Sequence, residues 1–467
     1  MPRTTPLPLT EPVTATAAGA PRPVIGLGSA VALIVGLVIG AGIFKAPSMV
    51  AAMTGSAPAM FTAWIVGALV SLAGALCYAE LSTSYAHAGG DYHFLFRAYG
   101  PRVAFLFAWA RLAVIATGSI ALLGFVFGDY LNTLLPLGAA GPALYAAAAI
   151  AALSLLNSGS VRAGTTAQAW LTTIEVAGLL LIVAAAVSLA AGGGAPPPAV
   201  LAEPPGAPAG ASFGLAMVFV LLTYGGWNDA ACLGAELVDP RRNMTRALVL
   251  SIALISALYL LVNWAYWRAL GIGGMAASAA PAADLLRLAF GAGGAALISL
   301  VVAIAALTSI NATILFGARS SYAAGCDWKP LALLGAWDAA RGTPANALRA
   351  QCAMALVLVA AAHFGGSGFK SMVEFTAPVF WVFFLLAGAS LFVLRRRDPL
   401  RPRPFRVPLY PWLPLLFCSV CGYMLWSSLS YVYRESLGGW NAAWVGAGVL
   451  LAGTAMLPFL RRAPPAS

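Results

Sequence analysis

The chain has 467 residues, 61% of them hydrophobic and only 9% charged, with a mean hydropathy of +0.87. That composition excludes a water-soluble globule and implies an all-α polytopic membrane protein. The net charge of +11 does not indicate a nucleic-acid partner, because the basic residues are juxtamembrane and not gathered in one aromatic-rich patch.

A helix needs about 20 apolar residues to cross a ~30 Å hydrocarbon core. Twelve stretches qualify, near 24–53, 57–84, 102–135, 142–158, 165–191, 212–237, 245–270, 284–322, 347–364, 370–394, 409–431 and 438–460. Residues 1–23, rich in Pro, Thr and Ala with no apolar run before a cleavage site, read as a disordered tail without a signal peptide. Spans 1–5 fill residues 24–191, and a Pro/Gly-rich outer linker follows at 192–211. Spans 6–10 fill 212–394, a basic inner loop takes 395–408, and spans 11 and 12 occupy 409–460 before a short tail at 461–467. With both termini inside, twenty of the 26 Lys and Arg residues face the cytoplasm. Four (Arg268, Arg287, Lys370 and Arg434) face outward, and Lys45 and Arg111 fall within spans. That asymmetry favours cytoplasmic termini. The six cysteines imply neither a disulfide framework nor a metal site, and Cys418 and Cys421 read as helix packing. His87, His93 and His363 lie near span boundaries and are not expected to be ligands, and no cofactor is implied.

Two spans are interrupted where a membrane helix most needs its hydrogen-bond ladder. Span 1 carries Gly40, Ala41 and Gly42 inside VIGAGIF, followed by Lys45 and Pro47; span 6 carries Tyr224, Gly225, Gly226, Trp227, Asn228 and Asp229. Freed backbone groups are tolerated in hydrocarbon only where protein or a water-filled cavity satisfies them. Breaks at corresponding positions of two five-span halves point to an inverted-repeat transporter with its site at the repeat interface. An outer half-helix starting at Gly40–Gly42 offers N–H groups and a positive dipole end to a carboxylate. Carbonyls of Val38 and Ile39, with a second set from Leu222 to Gly225, suit an ammonium group. Together they fit a zwitterionic α-amino acid.

These segments resemble the amino acid–polyamine–organocation superfamily, in particular bacterial relatives of the L-type amino acid transporters. VIGAGIFKAP (38–47) is similar to that family's G-S-G-I-F-x-x-P, and CYAELSTSYAHAGGDYHFLFRAYG (77–100) to Y-A-E-L-G…G-G-x-Y-x-Y. YGGWNDAACLGAELVDPRRNMTRAL (224–248) resembles Y-G-G-W-N…E-E-x-x-N-P-x-R-N-x-P-x-A-I, and INATILFGAR (310–319) and RPFRVPLYPWLPLLF (403–417) complete the order. The resemblance covers most of 24–431. It implies a LeuT-type five-plus-five inverted repeat with discontinuous helices 1 and 6, two appended spans, and transport by alternating access. It puts the substrate carboxylate near Ala41, Gly42 and Ile43 and the amino group near Val38, Ile39, Leu222 and Gly225. Spans 3, 6 and 8 would supply the side-chain pocket, with Asn228 as a polar contact and Trp227 as a wall.

Departures from the family pattern carry further expectations. Leu222 stands where relatives often have an aromatic that closes over the ligand, which implies a weaker lid or a roomier pocket. Ala41 replaces a serine but keeps the backbone N–H, and Thr245 replaces a proline and reads as the N-cap of span 7. The outer loop after span 3 has no cysteine, so no disulfide-linked glycoprotein partner is expected. Arg111 and Glu175 fall at similar depth in spans 3 and 5 and are functional candidates by default. Glu175, in EVAGLL, stands where many relatives have a lysine. It is either a proton carrier or a permanently ionised partner of Arg111. Asp229 is a third coupling candidate. Glu80 and Glu236, near Arg97, Arg241 and Arg242, are expected either to form an inner gate of ion pairs or to be solvated.

The resulting expectation is a secondary transporter of neutral L-amino acids in a bacterial inner membrane, working by exchange or proton-coupled symport. A cationic amino acid or polyamine carrier is the alternative, since Glu175 or Asp229 can pair with a second ammonium. A membrane enzyme would need a catalytic cluster at membrane depth and a channel a pore-lining ring; neither pattern is present in the sequence.

Overall fold

The computed structural model describes residues 22–40, 42–191, 209–278, 280–291, 293–364, 368–435 and 442–459, helical throughout apart from turns and two isolated β-bridges. Among the described residues ten helices are long and apolar enough to cross a membrane, and the bent pair at the N-terminus makes an eleventh if it is counted as one span. This is a multi-pass membrane protein. The pair comprises α1 (Leu27–Val38) and α2 (Gly42–Thr54), inclined at 49° to one another. The sequence then runs through α3 (Ala57–Ser84), the short α4 (Asp91–Tyr99), α5 (Pro101–Ala110) and α6 (Ala116–Leu134). Next come α7 (Gly141–Gly159), α8 (Val161–Ala191), α9 (Ala209–Thr223) and α10 (Pro240–Ala277). The remaining helices are α11 (Pro281–Phe290), α12 (Gly293–Asp327), α13 (Ala345–Phe364), α14 (Gly368–Arg397), α15 (Trp412–Glu435) and α16 (Ala442–Met456).

Two expectations about the elements need correction. The stretch expected as one span at 284–322 is two helices, because Gly291 at φ +64° ends α11 and turns the chain into α12. Thr245 is not an N-cap: α10 begins at Pro240, and Pro at the first helical position already fits a helix start without needing an N–H. Of the twelfth span, the apolar part among the described residues is Gly446–Met456, shorter than a crossing. The linker at 192–208 and the chain ends lie outside the described residues.

Local chemistry sets the remaining ends. Ser56 caps α3 by accepting from the Ala59 N–H (3.4 Å), and Pro58 and Pro101 open α3 and α5 where a missing N–H costs nothing. Between α5 and α6 the span does not stop but widens into a π-turn, Arg111–Ile115, and the Thr117 hydroxyl donates five residues back to the Leu112 carbonyl (2.8 Å). Such turns recur at functional sites.

The core lies where α1 and α2 cross α8, α9, α10 and α12. A buried polar chain fastens α1 there. Asn157 donates to Asn311 (2.7 Å), Asn311 to Gln168 (2.8 Å), Gln168 to Thr172 (3.3 Å), and the Thr172 hydroxyl to the Ala32 carbonyl (3.0 Å). Gly36 lets this network approach, since a Cβ there would collide with Thr172 and Gln168. Gly90, just ahead of α4, is held even more tightly. Its φ is +50°, and a Cβ would sit 2.7 Å from Cys232 Sγ and 2.9 Å from the Cys232 backbone nitrogen. Gly90→Ala is therefore expected to cost about 1–3 kcal/mol, read as a lowered midpoint of thermal unfolding in detergent.

Candidate functional site

The two interrupted spans meet. Helix α1 ends at Val38, the Ile39 N–H closes its last turn on the Val35 carbonyl (2.8 Å), and α2 starts at Gly42. Ala41 lies outside the described residues. In span 6, α9 ends at Thr223, Tyr224 and Gly225 close back on Val220 and Leu222, and Gly226 takes φ +111°, open to glycine and strained for other residues. The chain continues as a 3₁₀ helix, Trp227–Ala235. Contact between the breaks is close. A Cβ on Gly42 would lie 3.1 Å from Thr223 Oγ1, and one on Gly226 would lie 3.3 Å from the Leu37 side chain.

The freed carbonyls are met by two side chains that the sequence reading did not single out. Tyr259 on α10 places its hydroxyl 3.0 Å from both the Val38 and the Thr223 carbonyls, the last turns of α1 and α9. One phenolic proton serves only one acceptor at a time. Ser309 on α12 donates to Gly36 (3.3 Å) and reaches Ile39 (3.5 Å). The signal available in the sequence was a hydroxyl in each of two apolar helices, with no motif to mark it. The Leu222 side chain is 45% exposed, and its carbonyl accepts from the Gly225 N–H. Tyr224 is fully buried against Trp64 and Tyr259 (centroids 6.0 and 5.0 Å). Trp227 packs on Tyr78, Phe384 and Phe417, a structural aromatic in this conformation. Val38, Ile39 and Ile43 are buried at the break, with Gly40 and Gly42 half-buried.

The structure reassigns the charges. Arg111 does not pair with Glu175; its Nη2 lies 2.8 Å from Asp229 Oδ2 in the 3₁₀ segment of span 6. Similar depth did not make a pair, because Glu175 on α8 faces the α1, α10 and α12 side of the bundle. Glu175 is fully buried, and neither carboxyl oxygen has a hydrogen-bond partner among the described residues. Asn228, also buried, donates to Asp229 (3.1 Å) and lines a pocket of about 200 Å3 with Asp91, Arg111, Phe107 and Phe383.

Glu80 and Glu236 are ion-paired, but with other partners than Arg97, Arg241 or Arg242, and both are buried rather than solvated. Glu80 binds Arg395 through both oxygens (2.8 and 2.5 Å), lies 3.4 Å from Arg403, and accepts the Val407 N–H (2.7 Å). Arg395 also stacks over Tyr410 at 3.8 Å. Glu236 is bidentate with Arg319 of α12, with Arg319 Nη2 at 2.8 Å from Oε2, while its backbone carbonyl accepts from Val24 and Ile25. Arg97 instead joins Asp398 (3.3 Å), which also accepts from the Tyr85 hydroxyl (2.9 Å). These partners are separated by tens to hundreds of positions, so proximity in sequence could not identify them. His87 and His93 stack at 4.3 Å, and burial holds both imidazoles below their usual range. Among the described residues no group of three or more His, Cys, Asp or Glu side chains could hold a metal ion.

Residues 25–452 match the family model described as "Amino acid permease". The chain is 30% identical over 406 residues to the human b(0,+)-type amino acid transporter 1, covering 86% of this chain and 81% of that one. It is 27% identical over 412 residues to the serine/threonine exchanger SteT of Bacillus subtilis (strain 168), covering 87% and 91%. It is 30% identical over 415 residues to the large neutral amino acids transporter small subunit 2 of Mus musculus, covering 86% and 76%.

The two buried carboxylates are expected to respond differently when neutralised. Asp229→Asn strands the Arg111 guanidinium and is expected to cost about 3 kcal/mol, whereas Glu175→Gln, which breaks no pair, is expected to stay within about 1 kcal/mol. Thermal unfolding of both variants beside the wild type measures the contrast; equal losses would mean that Glu175 has an ionic partner.

Proposed function

The chain belongs to the amino acid permease family, and from that premise we propose how it binds and moves its substrate. It is an amino acid transporter and not an enzyme. On our reading it carries neutral L-amino acids by alternating access in a bacterial inner membrane, with both termini cytoplasmic, twelve spans and a LeuT-type five-plus-five repeat. Relatives named for large neutral amino acids and for serine and threonine support the substrate class.

One observation carries the proposal: the facing breaks present opposite helix ends to the same space. The N-terminus of α2 at Gly42 and Ile43 offers N–H groups to a carboxylate, while the last carbonyls of α1 and α9, Val38 and Thr223, suit an ammonium. The Tyr259 hydroxyl now occupies those carbonyls, standing as a donor where the ammonium would bind. Neither Asp229 nor Glu175 favours a second ammonium, since Asp229 is held by Arg111 and Glu175 is enclosed away from solvent. A neutral side chain therefore fits better than a cationic one.

Glu175 we assign as a proton carrier. An unpaired buried ion is the costliest arrangement available to a carboxyl, so its surroundings suit the neutral acid. The Glu80–Arg395–Arg403 and Glu236–Arg319 clusters we read as inner-gate locks, each joining an end of α3 or span 6 to another helix.

Gly42→Leu is expected to abolish amino acid binding while the protein still inserts, because its side chain would enter the space of Thr223. Retained ligand-dependent thermal stabilisation would show that the break serves another purpose. In proteoliposomes, labelled leucine, serine and alanine are expected to be taken up in preference to arginine and putrescine. Glu175→Gln is expected to lose the acceleration by an inward proton gradient; an unchanged pH dependence and exchange rate would remove Glu175 from coupling.

A further inference from the structure

We propose that Asp91, together with Arg111 and Asp229, forms a proton-binding site, separate from Glu175, at the junction of α4 with the 3₁₀ segment of span 6. The proposal rests on the transporter reading for its role in coupling, and on geometry alone for the existence of the site.

Asp91 is the first residue of α4, outside the spans, yet it is only 6% exposed. Gly90 beside it is wedged on the Cys232 backbone, which fixes the start of α4 against the 3₁₀ segment and brings the carboxyl to the pocket shared with Arg111 and Asn228. Asp91 Oδ1 and Asn228 Oδ1 are buried acceptors without a well-formed hydrogen bond among the described residues, and the Tyr78 hydroxyl and the Asn228 amide are the polar groups within reach of the Asp91 carboxyl. An enclosed carboxylate with so few donors is costly, and one proton lowers that cost: protonated Asp91 becomes a donor to the acceptors around it. The pocket is too small for a ligand site, and its walls include Phe107, Phe380 and Phe383. Water and protons fit it; an amino acid does not.

Charge counting agrees. Arg111 contributes one positive charge, and Asp229, at 2.8 Å, already answers it. An ionised Asp91 would leave the enclosed group with a net negative charge, and one proton restores neutrality. The groups facing Asp91 are Tyr78 from α3, Arg111 from the π-turn, and Asn228, Asp229 and the Cys232 thiol from the 3₁₀ segment, while α14 presents phenylalanines. On its own side, His87 and His93 stack nearby in their neutral range. Burial pushes the Asp91 carboxyl up to about 7; Arg111 opposes that rise, Asp229 adds to it, and Tyr78 and Asn228 oppose it in turn. The site is therefore protonated below neutral pH and ionised above it. Ionisation adds negative charge where α4 meets the 3₁₀ segment of span 6, so the proton state sets how tightly the two are joined.

Infrared difference spectroscopy of the purified protein, titrated from about pH 5.5 to about 8.5, tests the site without any substrate. A protonated-carboxyl band is expected to bleach through neutrality, to vanish in Asp91→Asn, to shift in Asp91→Glu, and to persist in Glu175→Gln. The same band in Asp91→Asn, or none in the wild type, would overturn the site. The coupling role is read from exchange of labelled leucine and serine in proteoliposomes. A group titrating near 7 changes its protonated fraction about tenfold between pH 6 and 8, and the wild-type rate is expected to follow it. Asp91→Asn is expected to flatten that dependence to under about twofold; a profile that keeps its shape would overturn the coupling. If the wild type transports neither probe while the band still titrates, it is the substrate reading that fails and the proton site that stands.

Discussion

Everything in this protein depends on one requirement: a backbone group released inside hydrocarbon must find a partner. Two helices are broken at their centres, and each break leaves carbonyls that neither lipid nor its own helix can satisfy. The answer is Tyr259, whose hydroxyl lies 3.0 Å from the final carbonyls of both α1 and α9, with Ser309 attending the turn before. Because one hydroxyl lies within reach of two helix ends and can donate to only one at a time, the two breaks share a single donor. Any ligand that supplies better donors to those carbonyls displaces the tyrosine and alters both interrupted spans together.

The scaffold around the breaks is held with more redundancy. The chain of Asn157, Asn311, Gln168 and Thr172 anchors α1 by hydrogen bonds in which nearly every donor is used. On the other side of span 6 the contacts are aromatic, with Trp227 tilted against Phe384 and Phe417 and those two packed edge to face. Polar networks fix a geometry because each bond has a direction, whereas ring stacks tolerate sliding. The proposed alternating access is consistent with this division, a directional hold on the first half of span 1 and a less directional one around Trp227.

The fold was legible in the sequence wherever the physics is one-dimensional. Apolar run length located the spans, and Gly40, Gly42, Gly225 and Gly226 marked the breaks, since a missing Cβ leaves its trace in the sequence itself. What could not be read was lateral: which face of a helix a residue occupies. Arg111 and Glu175 matched in depth yet face different neighbours, and Leu222, one position from buried residues on either side, is exposed. Tyr259 and Asp91 were passed over for a related reason. A tyrosine in an apolar helix and an aspartate in a short connecting helix acquire meaning only when three or four elements converge on them.

The acids now fall into three physical situations. Glu80 and Glu236 are each held by arginine through both oxygens, so their contacts behave as fasteners. Glu175 is fully buried and its oxygens have no partner among the described residues, so a change in its charge demands a change in its surroundings. Asp91 lies between these limits, with a cation nearby that is already committed to Asp229. A buried acid that is fully paired cannot respond to protons, and one that is fully isolated responds only when the protein opens. The partially compensated carboxyl is the one that can change state within a single conformation, and the contact between α4 and span 6 is where that change would first be felt.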